Sequence, residues 1–227
     1  MRTRLLLAPA LAASLLAAQS PAKATSAVVT ENERVRVVTA RLAPGEETKM
    51  HEHPARVVVF LTDASLDVTL PDGTTRRVER KAETVEAVPP TRHQVKNASK
   101  KPFEAVEIEL KAPTTARPLG DALAEDPKHV TLVLETDRVR VLRTRVDPGD
   151  ATPMHGHGER VTVILSGGRM RTTGEDGNPR ETDMAKGDVG IAPPTRHIAA
   201  NVAKTLHDAI TVELKPAPAA TPEPRKP

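Results

Sequence analysis

The chain has 227 residues, 38% hydrophobic and 28% charged, with a formal net charge of +3, a balance that allows one or two globular domains and argues against wholesale disorder. It contains no Cys, no Trp and no Tyr, and its only aromatic side chains besides His are Phe60 and Phe103. Disulfides, thiolate nucleophiles and Cys-ligated metals are therefore excluded, and recognition of sugars or single-stranded nucleic acid by aromatic stacking lacks its platforms.

Residues 1–24 read as a secretory signal peptide. Arg2 and Arg4 precede an apolar run, Leu5 to Ala18, interrupted only by Pro9 and Ser14. Ala22-Lys23-Ala24 offers a small-x-small cleavage site, and Leu16-Ala17-Ala18 a second one. The run is shorter than the ~20 residues of a membrane-spanning helix. The expectation is a secreted or periplasmic protein with no membrane span once the signal is removed. Arg2, Arg4 and Lys23 carry the whole +3, because the segment holds no acid. A neutral remainder gives no reason to expect a nucleic-acid partner or a polybasic membrane contact.

Beyond this segment the chain repeats itself at an offset of 104. Between residues 34–111 and 138–215, 31 of 78 positions are identical without a gap. A period near 100 is too long for a solenoid unit and marks a duplicated domain. Domain boundaries follow at 27–111 and 131–215. A linker at 112–130 carries a possible helical turn around Leu119–Ala124. The tail at 216–227 has five prolines and no periodicity and reads as extended and solvated.

Each half reads as all-β. Arg34–Val37 alternates charged and apolar residues, and Val57–Leu61 is a continuous apolar run suited to a strand buried on both faces. Asp72-Gly73 and Asp176-Gly177 provide hairpin turns, and Val106–Leu110 alternates again. Turn signals every 8–12 residues suggest a sandwich or barrel.

Six of the eight His fall at matched positions: His51, His53 and His93, then His155, His157 and His197. Residues i and i+2 of a strand share a face, so each H-x-H pair can converge on one cation, with the third His supplied by a neighbouring strand. Neutral imidazoles favour a divalent transition metal such as Fe, Mn, Zn or Ni over Mg or Ca. His129 and His207 have no matched partner. His207 aligns with Phe103 and reads as a surface or half-buried residue, and the charged strand residues read as solvated faces.

At these residues the chain resembles the cupin superfamily, whose first motif is G-x5-H-x-H-x3,4-E-x6-G. Gly45, His51 and His53 fit its opening, as do Gly149, His155 and His157, with Gly168 as the closing glycine. The second motif, roughly G-x5-P-x-G-x2-H-x3-N, is followed by Gly187, Pro193, His197 and Asn201, one residue short between Pro and His. Pro89, His93 and Asn97 follow it in the first half, where Glu83 replaces the glycine. The resemblance implies a bicupin: two tandem double-stranded β-helix (jelly-roll) barrels, each with a pocket at its mouth. Strand Val57–Asp63 and the ending Glu109-Leu110-Lys111 are similar to small cupins, some of which are labelled beta-alanine degradation proteins. The motif's glutamate ligand is missing, and its slot holds Val57 and Val161.

A three-His metal keeps open positions and positive charge, which suits a carboxylate, enolate or diketone-type ligand. The motif supplies no obvious general base, and it assigns no catalytic residue. Arg56/Arg160 and Arg92/Arg196 read either as carboxylate clamps or as salt-bridged surface residues. The pocket walls are expected to be Val, Leu, Ile, Thr and Met50 or Met154. Three readings stand: a dioxygenase-like or isomerase-like metalloenzyme acting on a small molecule, a non-catalytic module binding or sensing a metal or small anion, and an interaction protein with relic His. A monomer is expected to mimic a cupin dimer by packing its own two barrels, and a homodimer is the other option.

Overall fold

A computed structural model of the protein describes residues 25–217. The expected signal peptide and residues 218–227 of the tail lie outside the described residues. The first half contains β1 (Thr25–Glu31), β2 (Val35–Leu42), β3 (His51–His53), β4 (Arg56–Phe60), β5 (Ala64–Thr69), β6 (Thr75–Arg80), β7 (Val85–Val88), β8 (Thr91–Asn97) and β9 (Phe103–Leu110). A single short helix, α1 (Ala122–Glu125), follows among the described residues. The second half repeats the strands as β10 (Val130–Glu135), β11 (Val139–Val146), β12 (His155–His157), β13 (Arg160–Ser166), β14 (Gly168–Gly174), β15 (Pro179–Met184), β16 (Val189–Ala192), β17 (Thr195–Asn201) and β18 (His207–Leu214).

Each half is an all-β barrel of two antiparallel sheets. The five-stranded sheet runs β1-β2-β9-β4-β7 in the first barrel and β10-β11-β18-β13-β16 in the second. The four-stranded sheets run β3-β8-β5-β6 and β12-β17-β14-β15. Register is duplicated along with sequence: Val35 pairs with Leu110 and Val139 with Leu214. The expected hairpin turns are present, with Gly73 at φ +83° and Gly177 at φ +72°, a region that glycine enters at little steric cost.

Strand alternation decides the core. In β4, Val57 and Val59 face outward, while Arg56, Val58 and Phe60 face the barrel interior. The outward faces of the two five-stranded sheets pack on one another through sixteen buried side chains. Val35, Val37, Val57, Val59, Leu61, Val106, Ile108 and Leu110 come from the first barrel, and their counterparts 104 residues later come from the second. The run Val57–Leu61 is thus apolar because one face fills a barrel and the other fills the seam. Fully burying each such side chain stabilises by about 1.5–3 kcal/mol before ordering costs.

Position 83 shows what the lost glycine did. Glu83 sits at φ +70°, where its counterpart Gly187 sits at φ +88°. A non-glycine residue in this region is strained. The Glu83 carboxylate reaches across the seam to accept from Arg143 Nη2 at 2.5 Å, a contact that glycine cannot make.

The linker is not a free tether. Thr114 is buried, donates to the Glu159 carboxylate and bridges Pro216, which is itself exposed. Asp121 caps α1 by accepting from the backbone N–H of Leu123 at 3.1 Å and of Ala124 at 3.4 Å. Leu119 and Gly120 then cross the second barrel at β12, where the Leu119 N–H donates to the His157 carbonyl at 3.3 Å. A Cβ on Gly156 would lie 2.6 Å from Gly120 Cα. Glycine at 156 is therefore a packing requirement, whereas its counterpart Glu52 is exposed.

Candidate metal centres

Both His triads assemble. His51 and His93 are cross-strand partners on β3 and β8, as are His155 and His197 on β12 and β17. The second His of each H-x-H pair shares their face. One ring nitrogen from each His of a triad lies within 4.8 Å of those of the other two, in both barrels. Ring centroids are 4.7–5.4 Å apart in the first triad and 4.7–5.3 Å in the second.

The tautomers are set by what lies behind the rings. His51 Nδ1–H donates to the Lys49 carbonyl at 2.7 Å, and His155 Nδ1–H to the Pro153 carbonyl at 2.9 Å. His53 Nδ1–H donates to Glu109 Oε1 and His157 Nδ1–H to Glu213 Oε1, both at 2.8 Å. Carbonyls and carboxylates only accept, so the proton resides on Nδ1 and the Nε2 lone pair is left for a cation. Arg36 and Arg140 close the chain by donating to the second carboxylate oxygens at 3.1 and 2.9 Å. A His that donates one nitrogen to a carboxylate and offers the other is the arrangement a bound metal requires, so these residues fit a divalent metal.

Burial favours the neutral form of His93, His157 and His197. Desolvation, then the Arg56 guanidinium and the other two rings, lower His93 from 6.5 to about 4. Desolvation, then His155, His157 and Arg160, lower His197 to about 3. Burial would raise Glu213, but hydrogen bonds from His157 and Arg140 outweigh it and hold the carboxyl below its usual range.

Several expectations need correction. Val57 and Val161 do not face the pockets. They lie in the seam, and the first inward residues after each H-x-H are Arg56 and Arg160, 4% and 8% exposed. A guanidinium thus projects inward from the strand on which the motif places its glutamate. The strand glutamates Glu109 and Glu213 are buried anchors, not solvated faces. Their duplication at the ends of both repeats was the available signal. Arg92 stands outside the cavity, while Arg196 lies at the second mouth and donates to Glu125 Oε1 at 3.1 Å and the Leu119 carbonyl at 2.8 Å. Met50 and Met154 do not line the cavities; Met170 and Met184 line the second. His207 is buried and lines the second cavity. His129 is a buried structural residue held by Asp126 at 2.7 Å and Asp150 at 3.1 Å.

The first cavity, about 870 Å³, is lined by Phe60, Phe103 and aliphatic side chains beneath a charged rim; the second, about 590 Å³, carries more hydroxyls. No helix among the described residues is long and apolar enough to cross a membrane.

No protein-family model and no curated protein matches the sequence. Solved structures do. A cupin domain from Bordetella pertussis Tohama I is 34% identical over 41% of this chain and 99% of that one, with a TM-score of 0.38. The oxalate decarboxylase of Bacillus subtilis is 15% identical over 86% of this chain and 73% of its own, with a TM-score of 0.60. AerE from Microcystis aeruginosa is 14% identical over 84% of this chain and 97% of its own, with a TM-score of 0.58. The last two align across both barrels and share the fold. With its two H-x-H/His triads and paired barrels, the chain has a cupin fold in a bicupin arrangement.

Proposed function

We propose that this protein is an exported bicupin that binds a divalent transition metal through His51, His53 and His93 in one barrel and His155, His157 and His197 in the other. The observation that carries this reading is the tethering of four of the six rings through Nδ1, which leaves their Nε2 lone pairs free in triads whose ring nitrogens lie within 4.8 Å of one another. A bound metal would supply Lewis acidity or, if iron, oxygen activation. The chain's part is to hold the ligand set, restrict water and present Arg56 or Arg160 beside it. A small carboxylate or diketone-type molecule suits that charge, in a dioxygenase-like or isomerase-like reaction. The Mn(II) centres of the Bacillus subtilis oxalate decarboxylase support the choice of a divalent metal. Export is supported by the pattern of residues 1–24, and an intact-mass measurement after expression would detect cleavage.

A non-catalytic carrier or sensor is favoured by one observation. The carboxylates behind the triads are all engaged by cations: Glu109 by Arg36, Glu213 by Arg140 and Glu107 by Arg56. Elemental analysis of the chain purified without chelators decides whether the sites bind metal. About two equivalents per chain, lost in the His51→Ala/His155→Ala variant, are expected; none, with no gain in Tm on metal addition, overturns the reading. Given metal, turnover of a small acid or diketone that is lost on His93→Ala and His197→Ala separates enzyme from carrier.

A further inference from the structure

We propose that the two barrels, though their triads are duplicated, are built for different ligands. The second takes a small carboxylate on Arg160, and in the first the carboxylate of Glu107 already fills that place. This rests on the reading of the barrels as small-ligand sites, but not on a metal being bound.

One charge separates the barrels. Arg56 and Arg160 occupy matched inward positions and are both buried. Arg56 Nε lies 3.0 Å from Glu107 Oε2, an ion pair that lacks the alignment of a hydrogen bond. The residue 104 positions after Glu107 is Thr211, buried and also facing the cavity. Arg160 therefore hydrogen-bonds only to neutral groups among the described residues: it donates to the Pro193 carbonyl at 3.1 Å, to Thr195 Oγ1 at 2.9 Å and to the Gly158 carbonyl at 3.4 Å, while the Glu213 carboxylate acts on it without forming an ion pair and is itself held by His157 and Arg140. A buried cation with no counterion in contact is costly. An anion beside it removes that cost, and a planar guanidinium matches a carboxylate.

The walls changed in the same direction. Ala40, Val58 and Val68 line the first cavity, and their counterparts Thr144, Thr162 and Thr172 line the second. Each hydroxyl both donates and accepts, so at these three wall positions the second cavity can satisfy ligand oxygens where the first offers only aliphatic groups. An independent sign is His207, which replaces Phe103. It is 8% exposed, lines the same cavity, and its buried Nδ1 has no hydrogen-bond partner among the described residues. Buried polar atoms are rarely left unpaired, and the residue that carries this one lines the cavity.

The test is a titration of the 15N-labelled full chain with lactate, a small hydroxy acid, against propane-1,2-diol, which has the same carbon skeleton without the carboxylate. The readouts are the side-chain Nε–H resonances of Arg56 and Arg160. Titrations are run on zinc-loaded and on metal-free protein. The expected result is a saturable shift of Arg160, absent at Arg56, with lactate only and in both metal states. Thr211→Glu, which copies a residue the first barrel tolerates, is expected to weaken binding at least tenfold. Glu107→Thr is expected to create a lactate-dependent shift at Arg56. The proposal is overturned if Arg160 does not respond, if both arginines respond in the wild type, or if the diol shifts Arg160 equally. It is also overturned if the shift requires zinc, which would place the carboxylate on the metal. Loss of metal binding alone leaves the metal-free titration readable, so failure of the metal reading is distinguishable from failure here.

Discussion

The two barrels share register, seam and triad, yet they surround the triad differently. In the first, His51 and His53 are half-buried and Glu52 between them is exposed. In the second, His155 and His157 are buried under the linker, and the Gly156 N–H between them donates to Glu125 Oε2 at 2.6 Å. The first cavity balances its inward arginine with Glu107, whereas the second leaves its arginine to Thr195 and two backbone carbonyls. Duplication preserved what every copy needs to fold and hold three His. The neighbourhood that each copy met afterwards, above all the linker lying over only one of them, set the rest. Gly156 illustrates this: the backbone of Gly120 forbids the glutamate that the first copy carries.

The largest effects should come from the triads themselves. His93→Ala and His197→Ala should each remove one of about two metal equivalents, measured by elemental analysis. Glu109→Gln and Glu213→Gln, which keep shape but remove the carboxylate behind the ring, should weaken their own site roughly 10–100-fold and leave the other unchanged in a competition titration. Equal behaviour of both barrels in chelator exchange would break the idea that the linker shields the second site.

Exchanging the central residues of the H-x-H pairs should be asymmetric. Gly156→Glu drives the new side chain into Gly120 and should cost about 2–3 kcal/mol in denaturant unfolding, within the range of overpacking. Glu52→Gly should stay within about 1 kcal/mol, the ordinary cost of glycine in a strand.

Acid should separate the barrels next. His93 in the first barrel and His157, His197 and His207 in the second all have lowered pKa values, with burial the largest cause of each. A group held neutral by the fold contributes stability that is complete above its unfolded pKa of 6.5. That stability is lost as pH falls through 6.5 toward about 4 for His93 and about 3 for His197. In metal-free protein, amide exchange should therefore accelerate more in the second barrel than in the first between pH 7 and pH 5. His207→Phe, which restores the residue of the first barrel, should reduce the difference.

The smallest effect is expected at position 83. Glu83→Gly relieves a left-handed backbone strain of order 1 kcal/mol and removes the ion pair to Arg143, which is half-exposed on the Glu83 side and worth about 0–1 kcal/mol. The two nearly cancel, so the Tm should move little, and Arg143→Ala in the Glu83→Gly background should cost less than in the wild type.

Much of this was legible in the chain. The repeat, the all-β pattern, the hairpin glycines and the six His follow from spacing alone. Period-two alternation and turn chemistry are local properties, and a third His shared by both copies is visible without knowing which strand delivers it. The side-chain directions around β4 were harder. A one-residue difference in spacing reverses the face of a strand residue, so Val57 fell in the seam and Arg56 in the pocket. The burial of Glu109, Glu213 and His207, the counterion that Arg160 lacks, and the reason for Gly156 depend on partners 31 to 56 residues away or in the other sheet. Local pattern determines which face a residue shares, but only the closed barrels and the folded linker determine what that face meets.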